Sequence, residues 1–257
     1  MHRILRPGLA LPLAAIFTIV PLAARAPASQ ASAELPAART IIDRHIKAVG
    51  GREAILAQAS THATGTVSLP AAGLTGTLVA FHAKPNKFLQ RMTLPGIGEI
   101  EEGFDGTVGW SISPLTGPML LEGKQLEQRK FEADFYEDLK DNGRYKSMTT
   151  LEKTTFADRP VYKIRLLKMS GDEDIEFYDA ETGLKIGAIS SHDSPMGRMQ
   201  GTTSWSDYKR FGILLQPVTA KVSVMNTEMV MVITGVEYGK VDPSVFALPL
   251  KIKALIK

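Results

Sequence analysis

Three histidines and two acidic groups are where this 257-residue sequence could place acid–base or metal chemistry. The histidines His62, His82 and His192 stand far apart, with neither the H-x-x-x-H nor the H-E-x-x-H spacing that sets two imidazoles on one helix face. A Ser/His/Asp site needs only convergence in space, which spacing leaves open, but no Gly-x-Ser-x-Gly elbow is present to favour one. Glu99-Ile-Glu101-Glu102 and Asp172-Glu-Asp174 could attract Ca²⁺, yet neither alternates carboxylate and carbonyl ligands as an EF-hand loop does. They read as a solvated strand face and a hairpin tip. Asp179-Ala-Glu-Thr-Gly183 has turn chemistry: Asp179 can accept from backbone N–H groups two or three residues on, and Gly183 can take φ > 0. The residues therefore predict no catalytic group, no metal site and no cofactor, and the chain reads as a non-enzyme.

The apolar residues are the more informative set. Met229 and Met231 share one run with Val230, Val232 and Ile233. Methionine is flexible and polarisable, which suits a surface that adapts to varied apolar groups. Trp110 alternates with Val108 and Ile112, Phe88 stands four residues before Met92, and Tyr162 two before Ile164, so each pair or trio falls on one strand face. Two readings stay open for all of them: ordinary core beneath helices, or the lining of an apolar concavity.

The elements that must position these residues are mostly strands. Runs at 61–69, 74–83, 87–94, 98–104 and 108–113 are separated by glycine- and proline-bearing turns, which is the pattern of an antiparallel meander. Residues 114–123 read as a loop. A run at 145–156, a hairpin within 160–184, and runs at 185–192, 199–211, 213–224 and 229–238 follow. Helical spacing occurs twice. Ile41, Ile42, His45, Ile46 and Val49 form one apolar face that Gly50-Gly51 stops, and a charged, ragged segment spans 121–139. His45 sits beside the first stripe and reads as a half-buried helix histidine. About ten or eleven strands cannot stay flat and open. The expected fold is mainly β: a single large curved antiparallel sheet forming an incomplete barrel, with two helical segments covering the concave side.

The N-terminus looks like an address. Arg3 and Arg6 precede an apolar run from Leu9 to Leu22, then small residues at A-x-A-like cleavage sites. Residues 1–28 read as a signal peptide, cut between 26 and 33, with a flexible lead-in at 29–37, a single domain at 38–250 and a C-terminal tail at 251–257. The whole chain holds 30 Lys+Arg against 27 Asp+Glu; without Arg3, Arg6 and Arg25 the two counts are equal. The basic excess thus belongs to the export signal, and no nucleic-acid partner is predicted. The absence of cysteine excludes disulfides, thiolate chemistry and a lipid-modified N-terminal cysteine. A periplasmic monomer without a lipid anchor is expected.

Several local signatures then carry a resemblance. They are Ala48-Val-Gly-Gly51-Arg-Glu53-Ala-Ile55 followed by Gly65, Phe104-Asp-Gly106 followed by Trp110, and Phe177-Tyr-Asp179-Ala-Glu-Thr-Gly183-Leu184. Asp207-Tyr208-Lys209, Gly212-Ile-Leu-Leu-Gln-Pro217 and Phe246-Ala-Leu-Pro249 complete the set. In order and spacing the chain resembles the LolA-like superfamily of outer-membrane lipoprotein-sorting and lipid-carrier proteins. It departs at Asp158-Arg159-Pro160 and at Gly239, and nothing matches the arginine that gates lipoprotein release in the sorting carriers. The resemblance implies a half-open barrel whose concave face holds a lipid acyl chain or a lipoprotein lipid anchor. Phe88, Met92, Trp110, Tyr162, Ile164, Met229 and Met231 are its candidate lining. It implies a lipid or lipidated protein, and membrane-associated envelope proteins, as partners. The alternative is an envelope protein-interaction or stress-sensing module on the same fold.

Overall fold

Alternating apolar and polar residues need two environments, one on each side of a sheet, and the computed structural model of the chain supplies both. Residues 34–140, 143–194, 197–225, 227–239 and 241–256 are described; the expected signal peptide and most of the lead-in lie outside them. The compact unit that starts at Leu35 opens with helices α1 (Ala38–Val49) and α2 (Arg52–Leu56). Six strands follow: β1 (Ser60–Leu69), β2 (Leu74–Ala83), β3 (Lys87–Leu94), β4 (Gly98–Phe104), β5 (Gly109–Ser113) and β6 (Gly117–Leu121). Helix α3 (Gly123–Glu132) and a 3-10 turn (Glu137–Leu139) lead to β7 (Tyr145–Phe156), β8 (Arg159–Lys168), β9 (Glu173–Asp179), β10 (Lys185–Ser194) and β11 (Gly197–Ser206). A short hairpin of β12 (Lys209–Phe211) and β13 (Leu214–Gln216) precedes β14 (Thr219–Val224) and β15 (Thr227–Tyr238), and helix α4 (Leu250–Lys253) comes last.

Thirteen of the strands form one antiparallel sheet in the order β6-β5-β4-β3-β2-β1-β15-β14-β11-β10-β9-β8-β7, while β12 and β13 pair apart from it. The two edges of that sheet, β6 and β7, are consecutive in the chain, and α3 with the 3-10 turn joins them. The incomplete barrel is therefore open at one seam, and the segment crossing the seam is the one that carries charged helix residues. Among the described residues no helix is long and apolar enough to cross a membrane.

The inner face is identified by what covers it. Ile41, Ile42 and Ile46 of α1 pack on Leu139, Ile164, Leu166 and Tyr178. Each such isoleucine removed from water contributes about 1.5–3 kcal/mol. Arg44 of the same helix donates to the carbonyl of Ala180 at 2.8 Å, which fastens α1 to the turn after β9. Leu126 of α3 packs on Phe88, Phe104 and Ala133, and Arg129 reaches Glu102 at 2.6 Å. Pairing extends this face across the sheet through His82↔Phe88 and Phe88↔Phe104 on one side, and through Ala80↔Ala63 and Ala63↔Val236 on the other. Between Thr64 and Gly65 the β1–β15 register shifts by a bulge, and a Cβ on Gly65 would lie 2.2 Å from the carbonyl oxygen of Val232. Only glycine fits that close approach, and bulges of this kind bend a strand.

The outer face has its own cover. Leu89 and Trp110 pack with Phe246 and Ile252, so the chain after β15 folds back over β3 and β5. The expected tail at 251–257 thus includes a fully buried residue, Ile252.

Three expectations need correction. The loop at 114–123 contains β6, whose Gly117 and Pro118 hid it; proline fits because β6 is an edge strand with no outer partner for its missing N–H. The runs at 199–211 and 213–224 both break: Asp207, at φ 56°, turns the chain out of the sheet into the β12–β13 hairpin, and residues 217–218 return it to the large sheet at β14. The strand count rises accordingly, from ten or eleven to fifteen among the described residues.

Candidate functional site

A cavity of about 450 Å³ lies on the inner face. That falls within the ~300–1,000 Å³ of ordinary small-molecule pockets. Its floor is sheet: Thr61 and Ala63 of β1, Ala80 and His82 of β2, Ala220 of β14, and Ile233, Val236 and Tyr238 of β15. Its roof is His45 and Val49 of α1, Ile55 of α2, residues 135–138 before and within the 3-10 turn, and Leu214 to Pro217 from the outlying hairpin. The space exists because small side chains meet there. Ala63 and Ala80 are direct cross-strand partners, and Trp205 faces Ala220 rather than another large residue.

One end of the cavity is ionic. Lys185, at the start of β10, points its ammonium at Asp138 Oδ1 (2.6 Å) and lies 3.7 Å from Glu176 Oε1. Glu176 also holds Lys140 Nζ at 3.0 Å, and Lys140 pairs in turn with Glu137. The five charges alternate in the order Glu137, Lys140, Glu176, Lys185, Asp138. Glu176, Lys140 and Lys185 are buried, whereas the Asp138 side chain is 53% exposed. Tyr178 donates its hydroxyl to Glu176 Oε2 at 2.5 Å, and Tyr208 donates to the carbonyl of Lys185 at 2.6 Å. The ammonium of Lys185 also sits 5.1 Å over the Trp205 ring.

Electrostatics follow from this packing. Burial would raise the Glu176 carboxyl, but Lys140, Lys185 and the Tyr178 hydroxyl outweigh it and leave it at about 2. Lys185 chiefly holds Asp138 below the usual carboxylate range. Burial opposes the charge on Lys185, yet Asp138 and Glu176 push it well above the normal lysine value. His45 is lowered to about 4, mainly by burial. Its Nδ1 accepts the backbone N–H of Lys185 at 3.1 Å, which requires the neutral ring with the proton on Nε2. His82 is also lowered to about 4, by burial and then by Arg129. Neither imidazole is a strong base at neutral pH, Asp138 is ion-paired, and no serine is among the residues that line the space.

The seven sequence candidates fall elsewhere, and none of them lines this cavity. Met92, Met229 and Met231 come together on the inner face with Val67, Leu78 and Leu94, packed against Ile233. Ile233 also lines the cavity, so the methionine cluster continues its floor along β15. Phe88 lies on the same face beneath α3. Tyr162 and Ile164 lie beneath α1. Trp110 pairs with Gly103, one residue out of phase with Phe104, and so belongs to the outer face under Phe246 and Ile252.

The titratable candidates sort differently. His82 lines the cavity, His62 stacks on Phe81 at 4.5 Å across the sheet from it, and the side chain of His192 lies outside the described residues. Glu101 is not on a solvated face: it is buried, accepting from Arg91 at 2.7 Å and from Trp110 Nε1 at 2.9 Å. Asp179 makes the expected turn, accepting from the N–H groups of Glu181 (3.1 Å) and Thr182 (2.6 Å). Among the described residues no group of three or more His, Cys, Asp or Glu is placed to hold a metal ion.

Sequence reasoning read His45 as a half-buried helix residue, where the structure buries it, and passed over Asp138, Glu176 and Lys185. Two signals were available. Glu176 and Tyr178 share a strand face with the apolar core, and Ala63 and Ala80 put unusually small residues where large ones would fill a sheet interior.

No protein-family model matches the sequence, and no curated protein matches it. Solved structures do match. A LolA superfamily protein from Nitrosomonas europaea gives a TM-score of 0.56 at 12% identity, covering 83% of this chain and 99% of that one. A DUF1329 family protein from Desulfovibrio piger gives 0.52 at 9% identity, covering 83% and 98%. At such identities the likeness speaks for the fold, and the fold of this chain is LolA-like.

Proposed function

We infer that this protein is a non-enzymatic carrier or binding protein of the bacterial envelope, working as a periplasmic monomer. It holds an apolar chain, a lipid acyl chain or a lipoprotein lipid anchor, in the inner concavity. The observation that carries this reading is the roofed cavity whose floor of Ala63, Ala80, Val236 and Ile233 runs into the Met92, Met229 and Met231 cluster. Burying a chain of about ten methylenes at ~0.8 kcal/mol each contributes roughly 8 kcal/mol. Association costs about 4–15 kcal/mol in lost freedom. A single chain would therefore bind reversibly, as a carrier requires. The depressed histidines and the paired Asp138 support binding over catalysis.

Native mass spectrometry of protein purified from its own host tests the reading. A co-purifying lipid mass on a monomer, with a rise in melting temperature when that lipid is added back, is expected. An empty protein with no lipid-dependent shift sinks it, and one stable protein partner without lipid would put the interaction module in its place.

A further inference from the structure

Among the residues lining the cavity, Lys185 is the single lysine or arginine. Its charge is shared between two different kinds of partner. Glu176 is buried, bonded to Tyr178 and Lys140, and fixed in the sheet. Asp138 comes from the short 3-10 turn of the roof, follows Glu137 directly, and keeps half of its side chain exposed. In the alternating series of five charges Asp138 is the terminal carboxylate. An outside anion that took its place on Lys185, with the half-exposed Asp138 turned into solvent, would keep the alternation of charges.

We propose that Lys185 is the head-group anchor of the cavity, and that Asp138 occupies the position of a ligand's anionic head group until the ligand arrives. The ligand class is a single-chain amphiphile with a carboxylate or phosphate head. Its head pairs with the Lys185 ammonium beside Trp205 and Tyr208, and its tail lies over Ala63, Ala80 and Ala220 towards Ile233. Exchange at Lys185 removes the Asp138 tie between the 3-10 turn and the sheet, while Leu139 in the α1 core and Lys140 on Glu176 keep the turn seated. This assignment rests on the apolar-chain reading of the same cavity.

Calorimetric titration of the full-length exported protein, with probes kept below their micelle concentrations, separates the two. Dodecanoate and dodecyl phosphate are expected to bind about tenfold tighter than dodecanol, because an anionic head can replace the half-exposed Asp138 carboxylate on Lys185, which then returns to water, whereas a hydroxyl cannot. Acetate and inorganic phosphate, which lack the chain, are expected to show no saturable binding. Asp138→Asn removes the competing carboxylate from a half-exposed position and should strengthen dodecanoate several-fold while leaving dodecanol unchanged. Lys185→Met should bring dodecanoate and dodecanol within about twofold of each other. Dodecanol binding as tightly as dodecanoate, dodecyltrimethylammonium binding more tightly than either, or Asp138→Asn leaving dodecanoate unchanged overturns the head-group assignment and spares the cavity reading. Saturable binding of acetate or phosphate alone overturns the amphiphile. If no amphiphile binds at all, both readings fall.

Discussion

Asp138, in the roof segment that joins the two edges of the sheet, and Lys185, at the start of β10, meet at 2.6 Å across 47 residues of sequence. Their contact is the outermost link of a charge series whose inner members are buried, so position in the series decides what each substitution costs.

Glu176 carries the largest expected loss. It compensates two buried ammonium groups, Lys140 and Lys185, and accepts from Tyr178. Glu176→Gln removes the buried carboxylate that lies between the two lysines, leaving Lys140 with Glu137 alone and Lys185 with Asp138 alone, both on the partly exposed turn, and the loss approaches the about 3–5 kcal/mol of a broken buried pair. Urea denaturation should show that loss, whereas Glu137→Gln, on the partly exposed turn, should cost much less.

Stability should fall with acid in two stages. His45 has a folded pKa of about 4 against 6.5 unfolded, so below pH 6.5 the unfolded chain binds more protons and stability drops until about pH 4. His82 acts in the same direction over the same window. For the buried His45 the full difference is about 3 kcal/mol. Glu176, folded at about 2 against 4.5, continues the decline as pH falls from 4.5 towards 2. Urea midpoints measured across this range should decrease throughout, and His45→Gln should flatten the slope between pH 6.5 and 4.

Filling the cavity should separate binding from folding. Ala80→Leu puts three more carbons into open space beside Ala63. The variant should melt within a few degrees of the parent yet lose apolar-ligand binding at least about tenfold, since several methylenes at ~0.8 kcal/mol each are displaced. Unchanged binding would move the ligand away from this floor.

The segment after β15 should matter for stability and leave binding alone. Ile252 is fully buried against the outer face with Trp110, whereas Leu250 is 81% exposed. Ile252→Ala should cost about 2–5 kcal/mol by the cavity it leaves. Leu250→Ala should stay within about 0.5 kcal/mol. Thermal unfolding of the two variants checks the contrast.

Much of the fold was legible because its signals are local. The bounds of β2, β3 and β4 follow from alternation between turns, and α1 from the spacing of Ile41, Ile42 and Ile46 before Gly50. Turn chemistry at Asp179 was equally readable, since its donors are two and three residues away. β6 was missed because an edge strand tolerates the glycine and proline that normally end one.

The candidate site was legible only in part, and the reason is geometric. Alternation assigns Phe88 and Trp110 each to a strand face, but names neither face as inner. That depends on α3 packing over one and the Phe246–Ile252 segment over the other. A gap in packing such as that between Ala63 and Ala80 is likewise invisible until the neighbours that fail to fill it are known.

By itself the sequence determined a mainly β chain, a curved sheet too wide to stay open, the absence of thiol chemistry, and turns that set the strand bounds. These follow from backbone preferences and from side chains at most a few residues apart. Only the tertiary structure decided that His45, Asp138, Glu176 and Lys185 share one end of a cavity. Burial then gave them their properties: a lysine kept charged by two carboxylates and a histidine kept neutral by loss of water exist only where distant segments exclude solvent together.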